Sequence, residues 1–130
     1  MSYSEARRLS STEQIAPLDC IPLDFEQLAE NTFGDVALRL EILKLFADQL
    51  AISRSSFEGQ FSGHEWRFAT HTLKGAASAV GACQFAHLAH DWEKQGPPTD
   101  QLEADKLLVA FDLAVVAFKA IVRDVEGVEL

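Results

Sequence analysis

The sequence predicts an all-α fold, an antiparallel up-and-down four-helix bundle with a short N-terminal helix or tail packed on it. Three observations carry that expectation. Glycine and proline fall mostly in clusters, at Pro17 and Pro22, at Gly59 and Gly63, and at Gly96, Pro97 and Pro98; between them lie long stretches whose apolar residues recur at helical spacing. No Asn-Gly or Asp-Gly hairpin signal occurs, and nowhere do apolar and polar residues alternate over a sustained run. Four such stretches with short connections and wide apolar faces make the bundle the default packing.

Taken in order, residues 1–16 are polar and read as a flexible tail ahead of a domain spanning 17–130, with Ser11 and Gln14 able to cap one helical turn before Pro17. A short helix is expected from Asp24 to Asn31, with Asp24 and Gln27 as its capping pair. A long helix follows from near Asp35 to about Phe57. Its core stripe is Val36, Leu40, Leu43, Phe46, Ala47, Leu50 and Phe57, while Leu38, Leu45 and Ile52 form a thinner seam almost opposite. That seam calls for a cover, and the expected one is the segment from Ile15 to Asn31. The next helix has the plainest start: Ser62 with Glu65 makes a capping box, and Phe61 with Trp66 a hydrophobic staple. It runs to about Val80, with Gly81 as the turn. Another helix points Phe85, Leu88, Ala89 and Trp92 inward and stops at Gly96. The last begins near Thr99 or Asp100, with Glu103 in reach of a cap, and ends before Gly127. It is apolar on more than half its circumference, its polar residues confined to a line through Gln101, Asp105, Asp112, Lys119, Arg123 and Glu126.

Composition narrows the function classes. The chain has 130 residues, 48% hydrophobic and 24% charged, enough for one buried core without disulfides or a metal. Its net charge of −9, from 20 acids against 11 bases, repels phosphate backbones and argues against nucleic acid as a partner. No apolar run approaches the roughly 20 residues of a membrane span. The opening MSYSEARRLSST lacks a secretory h-region. Cys20 and Cys83 lie far apart without a CxxC spacing, so neither a disulfide framework nor a zinc ligand set is expected, and Cys83 reads as a small filler or turn residue. A reducing cytoplasm is the compartment these features suggest.

The chemistry concentrates between Ser62 and Val80. Placed on a helical wheel, Trp66, Ala69, Leu73, Ala76 and Val80 oppose His71, which therefore faces away from the core. Around His71 on the outer face lie Arg67, Lys74, Gly75, Ser78 and His64, flanked by Phe68 and Ala79. Gly75 stands inside a helix, where glycine costs about 1 kcal/mol relative to alanine. A bare backbone beside the imidazole leaves room for a large partner to approach; tight helix packing is the competing explanation. Lys74 sets a cation within reach of whatever the imidazole carries, and would favour an attached phosphoryl group. An exposed neutral imidazole is a competent nucleophile near pH 7. His64 and His71 are two turns apart, about 10 Å, too far to share an ion. His87 and His90 supply only two ligands at i, i+3, so no metal site is expected and both read as surface residues.

The run His71-Thr72-Leu73-Lys74-Gly75, continued by Ala76-Ala77-Ser78-Ala79-Val80-Gly81-Ala82, closely resembles the motif of histidine-containing phosphotransfer (HPt) domains. Arg67 precedes it where that family places an arginine. Phe85, Leu88, Ala89, Trp92 and Glu93 follow at the positions of its L-x-x-L-A-x-x-L-E tail, with Trp92 in place of an aliphatic residue. The likeness extends back to Leu23 and the Phe33-Gly34-Asp35 turn, and covers roughly Leu23 to Val125. It implies a phosphorelay carrier that is not itself an enzyme. Nε2 of His71 would take a phosphoryl group from a receiver-domain aspartyl phosphate and pass it to another receiver aspartate. Lys74 would stabilise the phosphoryl group, and Gly75, Arg67, Phe68, Ser78, Ala79 and His64 would form the docking surface. The partners implied are receiver domains of response regulators, a hybrid histidine kinase, or both. The carrier would need no cofactor of its own, because Mg²⁺ comes with the receiver. The sequence has no P-loop or glycine-rich nucleotide fingerprint, in keeping with that division of labour. A non-catalytic helical adaptor using the same face is the alternative; a monomer is expected, with a homodimeric module as the competing possibility.

Overall fold

A computed structural model describes residues 21–59 and 62–130. Among them the chain is entirely helical: α1 (Phe25–Asn31), α2 (Val36–Phe57), α3 (Gly63–Val80), α4 (Cys83–Gln95) and α5 (Gln101–Glu126). The caps fall where the sequence places them. Asp24, Asp35, Ser62 and Asp100 each accept a backbone N–H from three residues on, satisfying one of the donors that a helix start leaves orphaned. At α5 the cap is doubled, since Glu103 also accepts from the Thr99 backbone N–H at 2.8 Å and from its hydroxyl at 2.9 Å. The box at Ser62 is a variant: Glu65 N–H donates to Ser62 Oγ at 3.1 Å, and that hydroxyl donates to Glu65 Oε1. The tail over 1–16, Cys20 and the Phe61 half of the staple lie outside the described residues.

One aromatic cluster holds the helices together. Phe46 of α2 meets Phe85 of α4 and Phe118 of α5 edge-on, at 5.8 and 5.3 Å between ring centroids. Phe57 meets Trp66 and Trp92 in the same manner at 5.4 and 5.3 Å. Phe85 and Phe111 close the cluster at 5.4 Å. Such T-shaped pairs add about 0.5–1.5 kcal/mol each beyond the apolar area they bury. The tightest helix pairing is α3 on α4; α2 also packs on α3, and α5 packs on α2 and α4. Two ion pairs pin α5 to α2, Arg39 to Glu126 at 2.9 Å and the fork of Arg54 on Asp112 at 2.8 and 3.0 Å. Arg54 also reaches Glu58.

Several expectations need correction. Val36 is 54% exposed rather than core, because burial along α2 begins only at Leu43, two turns in. Gln27 does not return to its own cap: its side chain donates to the Ser78 carbonyl at 2.7 Å, and Asn31 donates to the Ala79 carbonyl at 2.8 Å. Thus α1, in the described part of the expected cover, caps the C-terminal end of α3 rather than the α2 seam, and Leu45 and Ile52 are exposed; residues 15–20 of that expected cover lie outside the described residues. On α3 the deepest residues are Trp66, Thr70, Leu73, Ala77 and Val80, with Ala69 and Ala76 only half-buried. The helix is rolled toward Thr70, whose hydroxyl is satisfied internally by donating to the Trp66 carbonyl at 3.0 Å and so costs little to bury. Cys83 follows the Gly81-Ala82 turn at the start of α4, half-buried, as a turn residue would, but it is disulfide-bonded, contrary to the expectation that no disulfide forms.

Candidate functional site

The site is set by how firmly α3 is held at both ends. Near its start, Trp66 Nε1–H donates to the Trp92 carbonyl at 2.7 Å, tying α3 to α4 within two turns of His71. At its end, Gly81 adopts φ 79°, and the N–H groups of Gly81 and Ala82 return to the Ser78 and Ala77 carbonyls in a Schellman-type stop. Glycine is required there twice over. The conformation is left-handed, and a Cβ would stand 2.8 Å from the Asp24 carbonyl oxygen, whose residue donates its own N–H to Gly81 O at 2.7 Å. With the last carbonyls of α3 taken by Gln27 and Asn31, the helix has little freedom to roll.

That fixed roll presents the expected outer face. His71 is 78% exposed, and Arg67, Phe68, Ser78, Ala79 and His64 are exposed with it. Phe68 is a ring 70% in solvent. A Cβ added at Gly75 would meet nothing within 4 Å, which removes tight helix packing as the reason for glycine there. Lys74 leans off this face toward α4, half-buried. His64 lies toward the start of α3, two helical turns from His71, and makes no part of its immediate group.

The residue that sequence reasoning missed is Glu93. From α4 it directs its two carboxylate oxygens at two different residues of α3, Oε2 at 3.7 Å from His71 Nδ1 and Oε1 at 3.8 Å from Lys74 Nζ. These are ion-pair distances, longer than hydrogen bonds. Lys74 Nζ also lies 3.4 Å from His90 Nδ1, so His90 is a neighbour of the site rather than an isolated surface residue. Glu93 belonged to the motif tail, but only the pairing of α3 with α4 brings it opposite His71. A period count along one helix cannot reveal a partner on the next.

The chemical consequence concerns the two ring nitrogens. A carboxylate beside Nδ1 favours the tautomer that carries its proton there, which leaves the lone pair on Nε2, at the far side of an exposed ring. Lys74 sets a cation on the other oxygen of the same Glu93 carboxylate. Among the described residues, no group of three His, Cys, Asp or Glu side chains could hold a metal ion. A second exposed ring, Phe33, stands 90% in solvent at the α1–α2 turn with φ 55°, a backbone conformation uncommon for a bulky residue.

Comparisons with curated proteins and with solved structures gave no match. The family model of the Hpt domain matches residues 41–126, from the first half of α2 to the end of α5, and takes in His71, Lys74, Gly75 and Glu93. A match over well over half of the chain, enclosing the whole exposed histidine site, places this chain in the Hpt domain family.

Proposed function

We propose that this chain is a phosphorelay intermediate that carries a phosphoryl group on His71 between receiver-domain aspartates of a two-component pathway. Hpt domains are phosphocarriers in such relays, not kinases, and their partners are receiver domains and kinases. The observation that carries the residue-level reading is the pairing of an exposed His71 with Glu93 at its Nδ1 side and open space over Gly75.

In the forward step the Nε2 lone pair attacks the phosphorus of a receiver aspartyl phosphate in line. The P–N bond forms as the bond from phosphorus to the aspartate oxygen breaks, and the carboxylate leaves with the electron pair. The proton stays on Nδ1, and the Glu93 carboxylate beside it offsets the positive charge that the attacking imidazole acquires. Lys74 draws on the phosphoryl oxygens once they arrive. The reverse attack by a second receiver's carboxylate empties His71 again. The receiver is expected to bring Mg²⁺ and most of the transition-state stabilisation. Phe68, Ala79, Arg67, Ser78, Gly75 and His64 form the docking face, with Gly75 as the point of closest approach. The reading carries with it an antiparallel up-and-down arrangement of α2 to α5 within a domain over 17–130. Its support is the short links at Gly81-Ala82 and at 96–100. No helix among the described residues is long and apolar enough to cross a membrane; a cytoplasmic setting goes with the relay reading alone, and the disulfide at Cys83 weighs against it.

Incubation with a receiver loaded by acetyl phosphate is expected to give acid-labile, alkali-stable phosphate on the chain. His71→Gln is expected to abolish it with unchanged circular dichroism, since surface substitutions shift stability by about 0.5 kcal/mol or less. Label that persists on His71→Gln would move the acceptor elsewhere. A chain that binds the receiver but never takes phosphate would leave the adaptor reading.

A further inference from the structure

The last helix has two apolar faces, and the bundle uses one. Phe111, Ala114, Phe118 and Val122 are buried against α2 and α4. On the opposite side Leu102, Val109, Leu113 and Val116 are each more than half exposed. With Lys106 between the first two and half-buried Ala120 beyond the last, these positions are spaced 4, 3, 4, 3 and 4 residues apart. That is the seam of a coiled coil, sustained over about 27 Å of helix. A stripe this regular exceeds what the scattered exposed aliphatics of a monomer require.

We infer that this seam is a self-pairing surface, through which two copies of the chain associate with their α5 helices antiparallel. The spacing reads the same from either end and is centred beside Phe111. A two-fold axis there layers Leu102 on Ala120, Lys106 on Val116 and Val109 on Leu113, each residue facing its counterpart in the second copy. A parallel pair would instead stack Lys106 on Lys106 in the seam, a like-charge contact that the antiparallel pair avoids.

The flanks agree with the same choice. Antiparallel pairing brings Asp105 of each copy beside Lys119 of the other, giving two opposite-charge contacts per dimer, both residues being exposed in the single chain. On the other flank Ala110 meets Ala110 at the axis and Glu103 meets Ala117, small residues that let the helices approach. Asp112 falls opposite itself near the axis, but Arg54 of its own chain already grips both its oxygens. Lys106, which falls off the polar line expected for this helix, is the one polar residue in the seam; its stem would lie along Val116 of the second copy while its ammonium reaches solvent, a device that fixes register at some cost in stability. This departs from the monomer expected from sequence. It is independent of the phosphotransfer reading, because no residue of α5 belongs to the group around His71.

Sedimentation equilibrium of the full chain from micromolar to submillimolar concentration tests it. The expected result is a monomer–dimer equilibrium. Leu113→Glu should weaken it at least tenfold in Kd, leaving phosphoryl acceptance at His71 unchanged. Lys119→Asp should weaken it less, and the double variant Asp105→Lys with Lys119→Asp should restore it. The two charge changes lie on exposed positions, so they keep the test open even if Leu113→Glu were to unfold the chain. A chain that stays monomeric throughout overturns the inference, as does a dimer indifferent to Leu113→Glu. A double variant no stronger than Lys119→Asp alone overturns the antiparallel register.

Discussion

The third helix buries Trp66, Thr70, Leu73, Ala77 and Val80 and turns His71, Gly75 and Phe68 to solvent; the fifth buries Phe111, Ala114, Phe118 and Val122 and turns Leu102, Val109, Leu113 and Val116 to solvent. Both inner faces are apolar but for Thr70, whose hydroxyl is satisfied within its own helix, and both join one aromatic cluster. The outer faces differ in kind. On α3 the exposed His71 stands one turn from a position with no side chain, and ionisable residues of α4 adjoin it and Lys74, Glu93 beside both and His90 beside Lys74. Such a surface suits a partner that must come close, react and leave. On α5 the outer residues are aliphatic and regularly spaced, which suits contact that lasts. The content of a solvent face, more than its size, tells what approaches it.

The comparison can be broken most strongly at α5 itself. Phe111 and Leu113 are two residues apart on opposite faces, one fully buried and one 65% exposed. Phe111→Ala should cost about 3–5 kcal/mol in a denaturant melt, because it leaves a cavity in the cluster of Phe57, Phe85 and Trp92. Leu113→Ala, measured at a dilution where copies are separate, should stay within about 0.5 kcal/mol. Equal costs would mean that the two faces are not distinct.

On α3 the expected effects are kinetic. Lys74→Ala should slow transfer from a phosphorylated receiver by roughly 10- to 100-fold, or about 1.4–2.7 kcal/mol of transition-state stabilisation. Unchanged rapid-quench kinetics would reduce Lys74 to a solubilising residue tethered to Glu93. Gly75→Gln should cut transfer at least tenfold while melting no lower than wild type, since the open space over Gly75 accepts a side chain and helix propensity improves. A variant that melts lower, or one that folds and transfers at full rate, would refute the close-approach argument.

The smallest effect concerns the pin between α2 and α5. The Arg54 guanidinium holds the Asp112 carboxyl below its ordinary range, chiefly through their hydrogen bonds and then by charge. A carboxyl depressed on folding stabilises above its unfolded pKa, about 3.9, and loses that contribution as pH falls through the folded value. Asp112→Asn should therefore lower Tm slightly near pH 7, an exposed pair being weak, and the gap from wild type should close in acid. A gap that widens in acid would give the pair a different role.

Much of this was legible in the chain. Helix limits followed from Asp24, Asp35, Ser62 and Asp100 as caps and from Gly81, Gly96 and Gly127 as stops, because capping is local chemistry. The exposure of His71 followed from the stripe opposite it. What escaped was tertiary. Thr70 took a core position because its hydroxyl finds the Trp66 carbonyl, and polarity alone gave no hint of that. Gln27 and Asn31 left their own helix to cap α3, a choice visible only once α1 and α3 are adjacent. Glu93 lay in the motif without a role until α4 set its carboxylate opposite Nδ1.

That last contact is where the account is most exposed to test. Two-dimensional ¹H–¹⁵N spectra of ring-labelled protein, taken before and after phosphorylation by a loaded receiver, report which nitrogen of which histidine carries the proton and which the phosphorus. His71 alone is expected to be modified, with phosphorus on Nε2 and the proton on Nδ1, and Glu93→Gln is expected to lower the Nδ1-protonated population and the transfer rate together. Phosphorus on Nδ1, or on another histidine, would contradict it.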